Sequence, residues 1–358
     1  MKYRQQQLLA AESITTAGTK VLDIKIPDII SRLTAKISLT NSSWTPTGHP
    51  ACAMINMSLV DGGDVLHNAR GKFARAMAHY GTKRAPFAYA NYTDNGIANV
   101  VFPIYFGRKL WDRELALDPK RFTNLQLKMQ HNYLLGGAVP DAATLEVWAD
   151  MFDEDQPSPR GYLAAQSIWS KTYVASTYDY PNLPMDAPIR FVYVAAASDV
   201  EEPDINISSV RITEKSGKTI IYDTDVLTHL QTVESLWQAY EEWMEGRTLA
   251  NTDITFYQTA QKDVIYALSS SQDSDGYINQ IWSGGGIRKV NENATVTVMA
   301  RASGRCPHGV IPFPMGDPDE IESWWKVSKE VNPEIRIGTG AGSTAAQYEL
   351  LVEQMRSY

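Results

Sequence analysis

The sequence is poor in cysteine, short of cations and free of long apolar runs. Its 358 residues include only two cysteines, Cys52 and Cys306. Two thiols cannot build a disulfide framework, so stability has to come from packing, and a reducing compartment is the expected setting. Lys and Arg number 33 against 41 Asp and Glu, a net charge of −8. That is the wrong sign for a general nucleic-acid binder, which presents excess cations to phosphate. No stretch approaches the roughly 18 apolar residues of a membrane span. The opening MKYRQQQLLAAES carries Lys2 and Arg4 but no apolar segment of signal-peptide length. The expectation is a soluble chain synthesised in the cytoplasm.

Catalytic patterns are missing as well. The six histidines, His49, His67, His79, His131, His229 and His308, never lie closer than 12 residues apart, so there is no H-x-H metal pair on one strand. Cys306-Pro307-His308 places a thiol beside an imidazole, but neighbours in sequence rarely aim at each other across a site, and a buried structural thiol is the simpler reading. Gly338-Thr339-Gly340-Ala341-Gly342-Ser343 lacks the Lys of a phosphate loop and the spacing of a dinucleotide fingerprint; it reads as a turn. Trp282-Ser283-Gly284-Gly285-Gly286 does too. Asp273-Ser274-Asp275-Gly276 has two carboxylates at calcium-loop spacing without a third ligand or closing Glu. The acidic runs 153–155 (DED) and 317–320 (DPDE) read as a linker and the first turn of a helix rather than a general-acid pair. Trp324 and Trp325 read as packing aromatics. Nothing joins a nucleophile, a base and an orienting group. The expectation is no catalytic residue, no metal, no cofactor and no enzyme.

What the sequence does contain is repetition. LAAESI at 9–14 returns as LAAQSI at 163–168, and at the same offset Pro27 falls on Pro181 and AKISL (35–39) on IRFVY (189–193). The second of these strands is the more continuously apolar, so it is expected to be the more buried. DVL at 64–66 returns at 225–227, each copy opening an amphipathic helical pattern. In the first, Leu66, Ala69, Phe73, Met77 and Tyr80 share a face; in the second, Leu227, Leu230, Trp237, Tyr240 and Met244. Asp64 and Asp225 (or Thr224) are the candidate N-caps, and Gly81 and Gly246 the candidate stops. AATLEV (142–147) returns as AAQYEL (345–350), both with strand alternation. The offset only grows, so the echoes describe an internal duplication, with about 40 extra residues in the second copy expected within 303–340.

Further strand signals lie at 20–26, 97–106, 124–130, 254–258, 263–268 and 293–300. Many short strands with one helix per half fit a sandwich, a jelly roll ahead of an immunoglobulin-like one. The expected fold is mainly β: two tandem jelly-roll β-sandwiches, each with a helix inserted in a long loop. The expected division is an N-terminal arm at 1–16, a first roll at 17–152, a linker at 153–162 and a second roll at 163–358.

Through these three echoes the chain resembles the double jelly-roll major capsid proteins of icosahedral, membrane-containing bacterial and archaeal viruses, a lineage shared with adenovirus-like and giant viruses. The resemblance implies a homotrimer whose six rolls form a pseudo-hexagonal capsomer. It also implies contacts to neighbouring capsomers and to penton or minor capsid proteins, and a virion location. The N-terminal arm would face an internal membrane, and no nucleic acid would be bound sequence-specifically. A phage spike or receptor-binding protein and a double-sandwich hydrolase acting on glycans are the alternatives, since jelly rolls host all three functions.

Overall fold

The structure is a computed structural model that describes residues 2–196, 198–248, 252, 254–270, 279–291, 295–329, 331–342 and 347–358. The first half supplies β1 (Tyr3–Ile14), β2 (Gly18–Asp23), β3 (Ile30–Asn41), β4 (Met54–Asp61), β5 (Asp64–Ala69), helix α1 (Gly71–Thr82), β6 (Ala88–Asn91), β7 (Ile97–Tyr105), β8 (Leu125–His131) and β9 (Pro140–Phe152). They form two facing sheets, β1-β9-β3-β7-β6 and β2-β8-β4-β5. This is jelly-roll order, with α1 in the connection between β5 and β7.

The second half repeats the plan with β10 (Gly161–Thr172), β11 (Tyr178–Asp179), β12 (Ile189–Ala196), helix α2 (Pro203–Asn206), β13 (Ile207–Glu214), β14 (Thr219–Asp225) and helix α3 (Val226–Val233). An excursion follows: β15 (Tyr240–Arg247), β16 (Ile254–Tyr257), β17 (Lys262–Ser270), β18 (Asn279–Gly284), β19 (Ile287–Asn291) and β20 (Thr297–Arg305). The roll is completed by β21 (Val310–Pro314), β22 (Glu334–Thr339) and β23 (Gln347–Ser357). Its sheets are β10-β23-β12-β21 and β11-β22-β13-β14, the same order again. The chain is two tandem jelly rolls.

Alternation explains the first roll. Along β3, Leu33, Ala35, Ile37 and Leu39 are buried while Arg32, Thr34, Lys36 and Ser38 are half-buried on the other face, the signature of a sheet covered on one side. β12 stands at the equivalent place and is buried at all eight residues. Phe191, Tyr193 and Ala195 join the core of the first roll, whereas Val192, Val194 and Ala196 join the core of the second. The rolls therefore share a wall, and burying a side chain such as Phe191 there contributes about 1.5–3 kcal/mol.

Several expectations are corrected. Residues 3–14, expected within a free arm, form β1, which pairs with β9 (Leu9 opposite Val147, Glu12 opposite Leu145). Asp64 caps nothing. The turn through Gly62 (φ 59°) folds 64–69 back onto β4, so the chain is extended there and α1 starts at Gly71. Gly71 suits that start because a Cβ would lie 2.5 Å from the Met54 carbonyl oxygen. α1 ends at Lys83 in the left-handed region rather than at Gly81. Asp225 does cap its helix, accepting from the Thr228 N–H at 2.8 Å, but α3 is only eight residues long. Tyr240 and Met244, four apart, fit a helix face and a strand face equally. Pairing with β20 on one side and β6 on the other makes them strand.

The extra length of the second half sits between α3 and β21, not within 303–340. Its strands β15, β20 and β17 extend the first roll's sheet beyond β6, with Trp243 parallel to Tyr89. β16, β19 and β18 form a small sheet of their own. The third sequence echo is also displaced. Ile37 faces Leu145, and its counterpart Phe191 faces Glu353, so the structural mate of AATLEV begins a few residues after AAQYEL.

Candidate functional site

A concentration of buried polar groups lies where the first roll, the second roll and the excursion meet. The turn after β3 delivers His49, 1% exposed; β15 delivers Glu242 and the turn after β16 delivers Thr259. The Ala51 N–H donates to His49 Nδ1 at 3.0 Å, which fixes the proton on Nε2. That nitrogen lies 3.2 Å from Glu242 Oε2. Thr259 satisfies the rest of the carboxylate, through its hydroxyl at 2.7 Å and its backbone N–H. Burial holds His49 neutral, below the usual imidazole range. The buried cation of the region is Arg75, which is fully enclosed and donates to the carbonyls of Phe87 and Val101 and to the Tyr240 hydroxyl.

His308 packs edge-on against His49, with ring centroids 5.2 Å apart. Burial, helped by His49, Lys72 and Arg75, holds it well below the usual range. Beside it Lys72 Nζ donates to both oxygens of Asp199, at 2.8 and 3.0 Å. A cavity of about 220 Å³ lies here, lined by Cys52, Arg70, Lys72, Phe73, Asp199 and His308 among others. This cluster staples three parts of the chain together. Sequence reasoning missed it because His49, Glu242 and His308 are far apart in the chain and carry no local motif.

The residues weighed from sequence do not converge with it into a catalytic set. Cys306 is 2% exposed, burial pushes its thiol up, and Sγ donates to the Val310 carbonyl at 3.2 Å. His308 turns instead to His49, so thiol and imidazole aim apart. Asp155 pairs with Arg113 at 2.8 Å, and Asp153 with Arg4 at 3.5 Å. In DPDE, Asp317 accepts from the Asp319 N–H at 2.9 Å, and only a three-residue 3-10 turn follows. Trp324 and Trp325 are buried and donate to the Asp317 carbonyl and the Glu214 carboxylate, as packing aromatics do. Gly338 and Thr339, expected in a turn, are the last two residues of β22, and Gly340 and Gly342 donate to the carbonyls of Asn206 and Ile205. Of the run expected to be a turn, Trp282, Ser283 and Gly284 belong to β18, and only Gly285 and Gly286 turn into β19. Asp273–Gly276 and Ser343 lie outside the described residues. Among the described residues no group of three or more His, Cys, Asp or Glu is arranged to hold a metal, and no helix is long and apolar enough to cross a membrane.

The outer faces of the rolls carry a second, larger feature. Lys36 on β3 pairs with Glu146 on β9 at 3.0 Å, and Arg190 on β12 pairs with Glu353 on β23 at 2.7 Å. The repeat therefore duplicates an ion pair as well as a strand plan. In the second roll it is sealed: Arg190 is 1% exposed and also donates to the carbonyls of Gly81 and Pro318. In the first roll Lys36 opens onto a groove of about 760 Å³. Arg32, Arg84, Lys109, Tyr105 and Trp148 are among its lining residues, and no carboxylate lines it among the described residues.

No family model matches the chain, and no curated protein matches it by sequence. Solved structures do match, over nearly its whole length. The major capsid protein P2 from bacteriophage PM2 superposes with a TM-score of 0.58 at 9% identity, covering 99% of this chain and 98% of that one. The major capsid protein of Sulfolobus Turreted Icosahedral Virus gives a TM-score of 0.58 at 9% identity, with 99% and 96% covered. VP54 of PBCV-1 gives 0.57 at 10%, with 99% and 93% covered. At such identities the likeness is one of fold, and it spans both rolls, the wall between them and the excursion: the chain has the double jelly-roll fold of these capsid proteins.

Proposed function

We propose that this chain is a structural protein of a virion, the major capsid protein of an icosahedral shell, and not an enzyme. The observation that carries the reading is the pair of rolls of identical strand order set side by side, in a fold shared end to end with three capsid proteins. Two similar sandwiches per chain turn a three-fold assembly into a nearly six-fold one, which lets a single gene product tile a large shell. The working unit is a homotrimer that contacts neighbouring capsomers and, at the vertices, penton or minor proteins. Synthesis in the cytoplasm of a host precedes assembly. The expected division into a first roll ending near residue 152, a linker at 153–162 and a second roll from about 163 accords with strands that stop at Phe152 and resume at Gly161. Membrane contact through a free N-terminal arm loses its footing, because residues 3–14 are hydrogen-bonded into a sheet.

Electron microscopy of the purified protein tests the proposal. Hexagonal-looking trimers, or their tiling into closed shells, are the expected result. A monodisperse monomer with glycan-cleaving activity, or trimers that bind a receptor and never tile, would overturn it.

A further inference from the structure

Lysines pair with carboxylates throughout the chain, but one of them is placed differently. Lys36, Lys72, Lys83 and Lys171 each pair with one carboxylate, and their side chains are 20–49% exposed. The Lys262 side chain is 10% exposed, and its Nζ lies between two carboxylates, Glu202 Oε2 at 2.5 Å and Asp204 Oδ2 at 3.0 Å. The other oxygen of the aspartate, Asp204 Oδ1, is buried without a hydrogen-bond partner. A buried polar atom left unsatisfied costs free energy, and one in a functional cluster is often there for its chemistry.

The local chain is shaped to bring these groups together. Pro203 opens the four-residue α2, with Glu202 just before it and Asp204 just after. Lys262 opens β17, whose pairing with β20 slips between Lys262 and Ile265. Within that slip Asp263 is held in the left-handed region at φ 48°. Irregularities of this kind re-aim a side chain, and backbone held in a sparsely populated region tends to mark a functional site.

We propose that Lys262 and Asp204 become joined by an amide bond between their side chains, with Glu202 carrying the proton. The step balances within the site. The Lys262 ammonium gives one proton to the Asp204 carboxylate, leaving an amine and an acid, and a site shielded from water favours that neutral pair over two charges. The amine attacks Asp204 Cγ and the C–N bond forms. Glu202 takes a second proton from Nζ and delivers it to the leaving hydroxyl, so the C–O bond breaks and one water departs. No oxidant, metal or nucleotide is consumed. Fixed proximity supplies the drive, since well-oriented groups in one molecule reach effective molarities of about 10⁵–10⁸ M. Burial works to lower the Lys262 ammonium's pKa, but the two carboxylates outweigh it and hold it above the usual lysine range. The free amine is therefore scarce, and the bond accumulates slowly after folding. It ties α2, at the entry to β13 of the second roll, to the outermost strand of the first roll's extended sheet. None of this depends on the capsomer reading.

Intact-mass measurement of the full-length protein, followed by peptide mapping, tests the bond. Aged wild-type protein is expected to weigh one water less than its sequence, with the peptides carrying residues 204 and 262 joined. Full sequence mass after prolonged warm incubation at mildly alkaline pH overturns the proposal. So does a lost water without joined peptides, as a succinimide at Asp61-Gly62 would give. Lys262→Arg, which keeps the charge, and Asp204→Ala are each expected to retain the full mass; a 204–262 link in either overturns the assignment. Glu202→Gln is expected to slow joining roughly a hundredfold with an unchanged circular dichroism spectrum. Joining at the wild-type rate overturns the role of Glu202.

Discussion

β3 and β12 hold the same place in the two rolls, each beside the closing strand of its sheet, yet they read differently. β3 alternates and β12 is buried throughout. The cause is not the roll but its neighbour. α1 and the core of the first roll cover the outside of β12, as Tyr80 stacking on Tyr193 at 6.2 Å shows, whereas among the described residues the outside of β3 stays half-buried and opens onto the groove. Duplication supplied two equal sheets, and fusing them in one chain buried the outer face of one while leaving the other for something outside the chain.

The matched ion pairs offer the sharpest way to break that comparison. Arg190→Ala strands Glu353 in a sealed wall, and removing one partner of a buried pair costs about 3–5 kcal/mol. It is expected to lower the urea midpoint of the isolated protein steeply, or to abolish folding. The next effect is set by pH. Burial holds His67, at the β5–β10 junction, and His79, on α1, down to about 4. An unfolded chain takes up those protons near pH 6.5, so stability is complete above that value and is lost as pH falls from 6.5 toward 4. Each histidine contributes on the order of 3 kcal/mol across the window. Unfolding midpoints at pH 7 and 4.5 should show the drop, and His67→Gln should remove part of it; a flat profile would refute the buried neutral state. Third, Lys36→Ala breaks the half-exposed pair and is expected to cost less than about 1 kcal/mol in the isolated chain. A loss equal to that of Arg190→Ala would mean the two faces are not in different environments. The smallest effect belongs to Gly81→Ala, whose added Cβ would come within 3.3 Å of the Arg190 guanidinium. A shift within about 1 kcal/mol is expected by the same unfolding assay, since Ala also favours the helix.

Much of the architecture was legible because it is written in local periods. Leu125, Leu127 and Met129 alternate with polar residues and do form a strand, and IRFVY, apolar except for Arg190, is the strand buried on both faces. Asp225 caps a helix because a short side chain needs only the next turn to act. The failures share one physical origin, dependence on partners distant in sequence. Tyr240 and Met244 suited two periods, and only β6 and β20 decided between them. LAAESI falls within the expected arm at 1–16 yet is part of an edge strand, a placement decided by its pairing with the distant β9. The Lys36–Glu146 and Arg190–Glu353 pairs escaped notice because strand register, which places a cation beside a carboxylate, is set by long-range pairing. The histidine cluster at the meeting of the three parts was hidden for the same reason.

The excursion belongs to the second half by sequence, yet it is hydrogen-bonded to the first half through Tyr89 and Trp243. On a ribosome adding roughly 5–20 residues per second, β6 therefore emerges about eight to thirty seconds before β15 can pair with it. During that interval the half-made sheet offers an unprotected margin to every other nascent chain nearby. Were the chain the capsid protein proposed above, it would be made in bulk, and this delay would fall where the concentration of identical margins is greatest. The brevity of β6, four residues, limits how much backbone is left open while its mate is still being translated.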